Sequence, residues 1–91
     1  MPDVQHEPES HRFAAEVEGG TAELEYEMRG DAVAFVHTFV PEAARGQDVA
    51  TSLVEAGLAW ARDEGHGVIP QCPFVKAYVD GHPEAQDLTE R

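Results

Sequence analysis

Between Thr21 and Met28 the chain alternates without exception: Ala22, Leu24, Tyr26 and Met28 are apolar, while Thr21, Glu23, Glu25 and Glu27 are polar. A period of two puts one set on each face of a strand, so this stretch predicts a half-buried β-strand. Residues 11–17 carry the same signal in Phe13, Ala15 and Val17, and Gly19-Gly20 between the two stretches predicts a hairpin turn. Arg29-Gly30-Asp31 marks a second tight turn. Residues 32–40 are then apolar at nearly every position, interrupted only by His37 and Thr38. Such a run predicts a strand covered on both faces, and Pro41 ends it. Three strands joined by short turns make an antiparallel meander.

From Val49 the period changes. Val49, Leu53, Ala56 or Gly57, and Trp60 fall on one stripe, with Ala50, Val54 and Ala61 beside it, and Thr51, Ser52, Glu55, Arg62 and Asp63 lie outside. This predicts a helix of roughly four turns stopped at Gly65. Gly57 weakens that helix by about 1 kcal/mol relative to alanine, which a close approach of the sheet backbone would explain. Val68-Ile69, closed by Pro70, predicts a short strand lying parallel to residues 33–40 after a right-handed crossover. Phe74, Val75, Tyr78 and Val79 mark a second, shorter helix with Pro73 in its first turn. The predicted class is therefore α+β, an antiparallel meander followed by a β-α-β crossover with a parallel strand pair and a short C-terminal helix. Residues 1–10 hold two prolines and three acids and predict a flexible tail, leaving one domain over 11–88.

Composition narrows the function. Eighteen acidic against six basic residues give a formal net charge of −12, which argues against a nucleic-acid partner, since phosphate neutralisation needs a basic stripe. The charge reads first as a solubilising surface and second as an attraction for cationic substrates such as amines. No apolar run approaches the ~20 residues of a membrane span and no secretory signal opens the sequence, so the expected compartment is the cytoplasm. A single cysteine, Cys72, excludes an internal disulfide, and the five scattered histidines show no metal-ligand spacing. No metal is expected.

The stretch from His37 to Ala61 holds the one arrangement with chemical meaning on its own. An extended run, a short loop carrying Arg45 and Gly46, and a helix bring backbone N–H groups and a positive helix end to one point, a generic anion site. At this stage the residues resemble a known family. HTFVPEAARGQDVATSLV, followed by GVIPQCPFVKAYVDGHPEAQDL, is similar to the short, minimal members of the GNAT acetyltransferase superfamily, over about residues 11–88. The resemblance implies their fold, acetyl-CoA as acyl donor with CoA as product, and an amine acceptor. The family loop motif, Arg/Gln-x-x-Gly-x-Gly/Ala, binds the pyrophosphate of acetyl-CoA through backbone N–H groups. Here it corresponds to Arg45-Gly46-Gln47-Asp48-Val49-Ala50, and Asp48 stands where the family has its central glycine. At ~5 Å and an effective dielectric of about 20, a carboxylate beside a phosphate costs on the order of 3 kcal/mol. Aspartate is also a good helix N-cap, so the same residue is expected to stabilise the start of the helix.

The resemblance further implies that Phe39 and Val40 pair through their backbone with the pantetheine arm, and that Cys72 lies near the acetyl thioester, where a thiolate can accept the acetyl group and pass it on. Most lone cysteines are small buried hydrophobes. His37, on the strand expected to neighbour Val68-Ile69, is the second catalytic candidate: it is expected to face Cys72 across the opening between the parallel strands. Lys76, the only lysine, is placed to reach a CoA phosphate, although a solvent-facing lysine is the plainer reading. The leading function is acetyl-CoA-dependent N-acetyl transfer to an unidentified amine, small or protein-borne. The competing readings are a CoA-binding module without turnover and a degenerate scaffold for protein contacts.

Overall fold

The computed structural model describes residues 3–46 and 48–90. Five strands form one sheet in the order of the chain: β1 (Gln5–Glu7), β2 (Arg12–Val17), β3 (Gly20–Arg29), β4 (Ala32–Phe39) and β5 (Gly67–Pro70). The first four pair antiparallel, and β5 lies parallel to β4. Two helices follow the expected punctuation, α1 (Val49–Glu64) and α2 (Pro73–Asp80), and a third that was not expected, α3 (Pro83–Gln86), comes after them. Gly65 stops α1 in the left-handed conformation, φ 75°, with its N–H donating to the carbonyls of Ala61 and Arg62.

The N-terminal segment departs from the expected tail. Residues 5–7 form β1, paired with residues 12–14, and residues 8–10 make a 3-10 turn. What holds this short strand is side-chain chemistry that period counting over three residues cannot register. His6 stacks on Phe13 at 4.2 Å, meets the Trp60 ring edge-on at 4.7 Å, and hydrogen-bonds the Tyr26 hydroxyl at 2.7 Å. Burial pushes the His6 imidazole below its ordinary value and the Tyr26 phenol above its own.

All the helices pack on one face. The alternating set of β2 and β3 (Phe13, Ala15, Ala22, Leu24, Tyr26) meets Val33 and Phe35 of β4, the α1 stripe, and Val75, Val79, Ala85 and Leu88 from the C-terminal elements in one core. Burying each of the larger aliphatic or aromatic side chains contributes about 1.5–3 kcal/mol. Gly57 is explained, though by side chains rather than sheet backbone: a Cβ there would stand 2.9 Å from Phe35 Cε1 and 3.2 Å from Leu24 Cδ2. Arg62 ties α1 to the C-terminal end through both carboxylate oxygens of Asp87 and the carbonyl of Glu84. On the other face Ala14 and Ala34 are buried yet stand outside that core, among Glu23, Glu25, Glu27 and His37. β4 is thus covered on both faces only over Val33–Phe35; His37 and Phe39 are exposed.

The sheet carries one irregularity that matters for function. Tyr26 pairs with Phe35, but the next residue of β3, Glu25, pairs with His37, so Val36 is an extra residue in β4. Up to Phe35 the odd-numbered residues of β4 face the helices. Beyond the bulge the even-numbered ones do, and Thr38 lies opposite Leu24.

Candidate active site

Two features meet where β4 leaves the sheet. The first is a cleft at the start of α1. Pro41 breaks the strand, and a 3-10 turn over Glu42–Ala44 is closed by the Ala44 N–H donating to Pro41 C=O at 2.9 Å and anchored by the fully buried Ala44 side chain. Gly46 then takes φ 85° with open space where a Cβ would stand, so its backbone conformation, not crowding, favours glycine. Arg45, Gly46, Asp48, Val49, Ala50 and Thr51, with Val40 and Ala44 behind them and Phe74 of α2 opposite, line a cleft of about 200 Å³.

The electrostatics of the cleft come from backbone and from one side chain. A helix start leaves its first N–H groups without intrahelical acceptors, and here the Asp48 side chain takes none of them. That corrects the expected N-cap. Side-chain capping uses an extended backbone, whereas Asp48 sits at φ 59°, ψ 24°, a left-handed conformation that favours glycine. Arg45 donates through Nε to the Val40 carbonyl at 3.2 Å. Among the described residues, Arg45 is the only arginine or lysine without a carboxylate partner, since Arg12, Arg29, Arg62 and Lys76 are each ion-paired. In a chain of net charge −12, the only arginine or lysine among the described residues without a carboxylate partner lies beside a cleft built at a helix start.

The second feature is a gap between β4 and β5. Their pairing ends at Phe35 and Pro70, and the Cys72 N–H closes it by donating to Phe35 C=O at 2.8 Å. Beyond that point β4 runs on through Thr38 and Phe39 with no partner strand on this side among the described residues. Cys72 then begins α2, its carbonyl accepting the Lys76 N–H at 3.0 Å. Its thiol is buried and lies 3.1 Å from the Thr38 hydroxyl, where either group can donate.

Of the residues singled out from the sequence, Val40, Arg45, Gly46, Asp48, Val49 and Ala50 come together in the cleft. Gln47 lies outside the described residues. Phe39 is 44% exposed and does not line the cleft. Lys76 does not line the cleft; it is exposed and paired with Asp80 at 3.0 Å one helical turn on. His37 does not face Cys72. Strict alternation aligns it with Val33 and Phe35, but the bulge at Val36 turns it to the opposite face, beside Glu25, and Thr38 takes its place. Thr38 and Phe74 are the residues that sequence reasoning missed. The signal for Thr38 was a hydroxyl in an otherwise apolar strand, and for Phe74 an aromatic following Cys72-Pro73. Among the described residues no three His, Cys, Asp or Glu side chains gather to hold a metal ion, and no helix is long and apolar enough to cross a membrane.

A sequence profile of the GCN5-related N-acetyl-transferase family matches residues 12–88. Protein NATD1 of Danio rerio and of Mus musculus are each 31% identical to this chain over 88 residues, spanning 93% of this chain and 80% of theirs. The Homo sapiens protein of that name shows the same identity over 78% of its own length. The solution NMR structure of a GCN5-like protein from Staphylococcus aureus superposes with a TM-score of 0.76 at 24% identity, covering 94% of this chain and 85% of that one, and so shares the fold. The meander, the cleft at the start of α1, the parallel β4–β5 pair and a profile match spanning nearly all of the structured residues lead to one conclusion: the chain belongs to the GCN5-related N-acetyltransferase family.

Proposed function

We propose that this protein transfers an acetyl group from acetyl-CoA to an amine. The observation that carries the reading is the cleft at the start of α1, where uncapped helical N–H groups, the left-handed Gly46 and the uncommitted Arg45 converge. Backbone donors and an arginine suit a pyrophosphate, because both present N–H groups to oxygen anions without requiring a matching counter-charge elsewhere. Asp48 is the one lining residue that fits poorly. Its carboxylate opposes the ligand's charge, and the other residues must outweigh it.

Acetyl-CoA supplies an activated acyl carbon. The chain's own residues then do three things in this reading. Arg45 and the start of α1 hold the phosphates. The unpaired edge of β4 at Thr38–Val40 offers backbone groups to the extended arm, in the manner of an added strand. Cys72 and Thr38 stand at the end of that edge, where the thioester would lie. In direct transfer the amine nitrogen bonds the acetyl carbon, the carbon–sulfur bond breaks, CoA leaves as the thiol, and one proton from the ammonium form of the acceptor passes to solvent. In the covalent variant the Cys72 sulfur, with Thr38 as its hydrogen-bond partner, bonds the acetyl carbon as the carbon–sulfur bond to CoA breaks and the Cys72 proton leaves on the CoA thiol. The amine nitrogen then takes the acetyl carbon, the Cys72–acetyl bond breaks, one amine proton restores the Cys72 thiol, and the other proton of the ammonium form passes to solvent. His37 has no part at Cys72 in either route.

One observation favours a second reading. Asp48 in the cleft would weaken phosphate binding, which suits a CoA-responsive or ligand-free scaffold more than an enzyme. The test between them is release of free CoA thiol from acetyl-CoA on addition of primary amines. Amine-dependent release supports transfer. Binding without release supports the sensing module, and neither supports the scaffold.

A further inference from the structure

We infer that the cleft takes the acyl donor's diphosphate together with a divalent cation, Mg²⁺, and that Asp48 is the protein's ligand to that cation. The inference rests on the acetyl-CoA reading for its ligand, and it concerns the residue that fits that reading worst. Asp48 lines the cleft at the start of α1 and is exposed. Its backbone is left-handed, φ 59°, and its side chain caps none of the helical N–H groups. It has no hydrogen-bond or ion-pair partner among the described residues. Neither helix capping nor an internal ion pair accounts for a carboxylate at this position.

The charges that would meet in the cleft do not balance without a further cation. The donor's diphosphate is dianionic and Asp48 adds a like charge, against Arg45 and roughly half a positive charge from the helix start. The chain has no other cation to spare among its described residues, because Arg12, Arg29, Arg62 and Lys76 each hold a carboxylate. A divalent ion between Asp48 and the phosphates reverses the sign of the aspartate's contribution, since oxygen anions on both sides then share one positive centre. Mg²⁺ takes hard oxygen ligands in octahedral array, keeps several of its waters, and is commonly held by one or two carboxylates plus substrate phosphates. One carboxylate beside a diphosphate is such a donor set. The chain alone does not provide it: among the described residues no three His, Cys, Asp or Glu side chains gather to hold a metal ion. Cation and donor therefore bind together, each raising the affinity of the other by the same factor. The ion serves binding, and no bond or proton of the transfer passes through it.

The test is calorimetric titration of the whole protein with CoA, with and without millimolar Mg²⁺, at an ionic strength held constant with KCl. Mg²⁺ should tighten CoA binding by the parent protein about tenfold. It should leave Asp48→Asn and Asp48→Gly unchanged, both of which bind CoA more tightly than the parent in metal-free buffer. In ¹⁵N-labelled protein, substoichiometric Mn²⁺ should broaden the amides of Asp48, Val49 and Ala50 when CoA is present and not when it is absent. No tightening at constant ionic strength, tightening that persists in Asp48→Asn, or broadening of these amides without CoA overturns the inference. Asp48→Gly keeps the two readings apart. If it binds CoA while the parent fails to bind even with Mg²⁺, the acyl-donor reading stands and this inference falls; if neither binds, both fall.

Discussion

The Thr38 hydroxyl and the Cys72 thiol lie 3.1 Å apart, joining the free end of β4 to the first turn of α2 across the gap between the parallel strands. They meet because an extra residue at Val36 changes which side chains of β4 face inward. If the acetyl group passes through Cys72, Cys72→Ala retains acetyl-CoA binding and loses transfer by about 100-fold or more, and the intact mass of the parent protein gains one acetyl group on that residue. Thr38→Val, which removes the thiol's partner, should lower transfer with little effect on affinity for acetyl-CoA. A full rate in Cys72→Ala assigns the reaction to direct attack.

Asp48→Gly is expected to tighten CoA binding by roughly tenfold or more, since a like charge near the pyrophosphate is removed. Folding stability should change by less than about 1 kcal/mol. Relief of the left-handed strain is offset by the greater chain entropy of glycine in the unfolded state. Calorimetric titration at matched salt, beside a urea melt, separates the two effects. Unchanged or weaker binding would show that the carboxylate swings clear of the ligand.

The first strand should loosen in mild acid. Burial lowers the His6 imidazole from its ordinary 6.5, so the unfolded chain takes up the proton before the folded one does. The contribution is complete above that ordinary value and is lost as pH falls through it towards the lowered folded value. Urea midpoints followed by Trp60 fluorescence should therefore decline over this window in the parent protein. In His6→Gln the decline should be smaller, since only the remaining groups titrate. Equal slopes would remove His6 as the cause.

Gly57→Ala tests the packing of α1 on the sheet. The added methyl gains about 1 kcal/mol of helix propensity but would press on the Phe35 ring at 2.9 Å. A net loss of about 1–2 kcal/mol is expected, a fall in melting temperature of roughly 4–16 °C for a domain of this size. A higher melting temperature would mean that Phe35 yields freely.

Much of this architecture was legible in the sequence, and the exceptions share a cause. Ala22, Leu24, Tyr26 and Met28 revealed β3 because period two survives in any half-buried strand. Val49, Leu53 and Gly57 revealed α1 for the equivalent reason. Arg45, Gly46, Asp48, Val49 and Ala50, which line the cleft, were singled out because a helix start after a strand defines a place and the resemblance to the family loop motif names the residues there. His37 was misplaced because a bulge changes the phase of a strand while leaving its residue types unaltered. β1 was missed because three residues carry no period, and its anchor, His6 against Phe13, Tyr26 and Trp60, is a contact between distant parts of the chain. Lys76 looked available until its partner one turn on, Asp80, was seen to hold it.

Acyl-donor phosphates at the start of α1 are what every step of the proposed reaction depends on. The most direct measurement is a titration of ¹⁵N-labelled protein with acetyl-CoA, read residue by residue at the backbone amides. Saturable shifts are expected to be largest at Gly46, Val49, Ala50 and Thr51, with those of Thr38 and Phe39 next and the amides of β1 unmoved. Absence of saturable shifts, or a response centred away from this cleft, would contradict that placement of the phosphates.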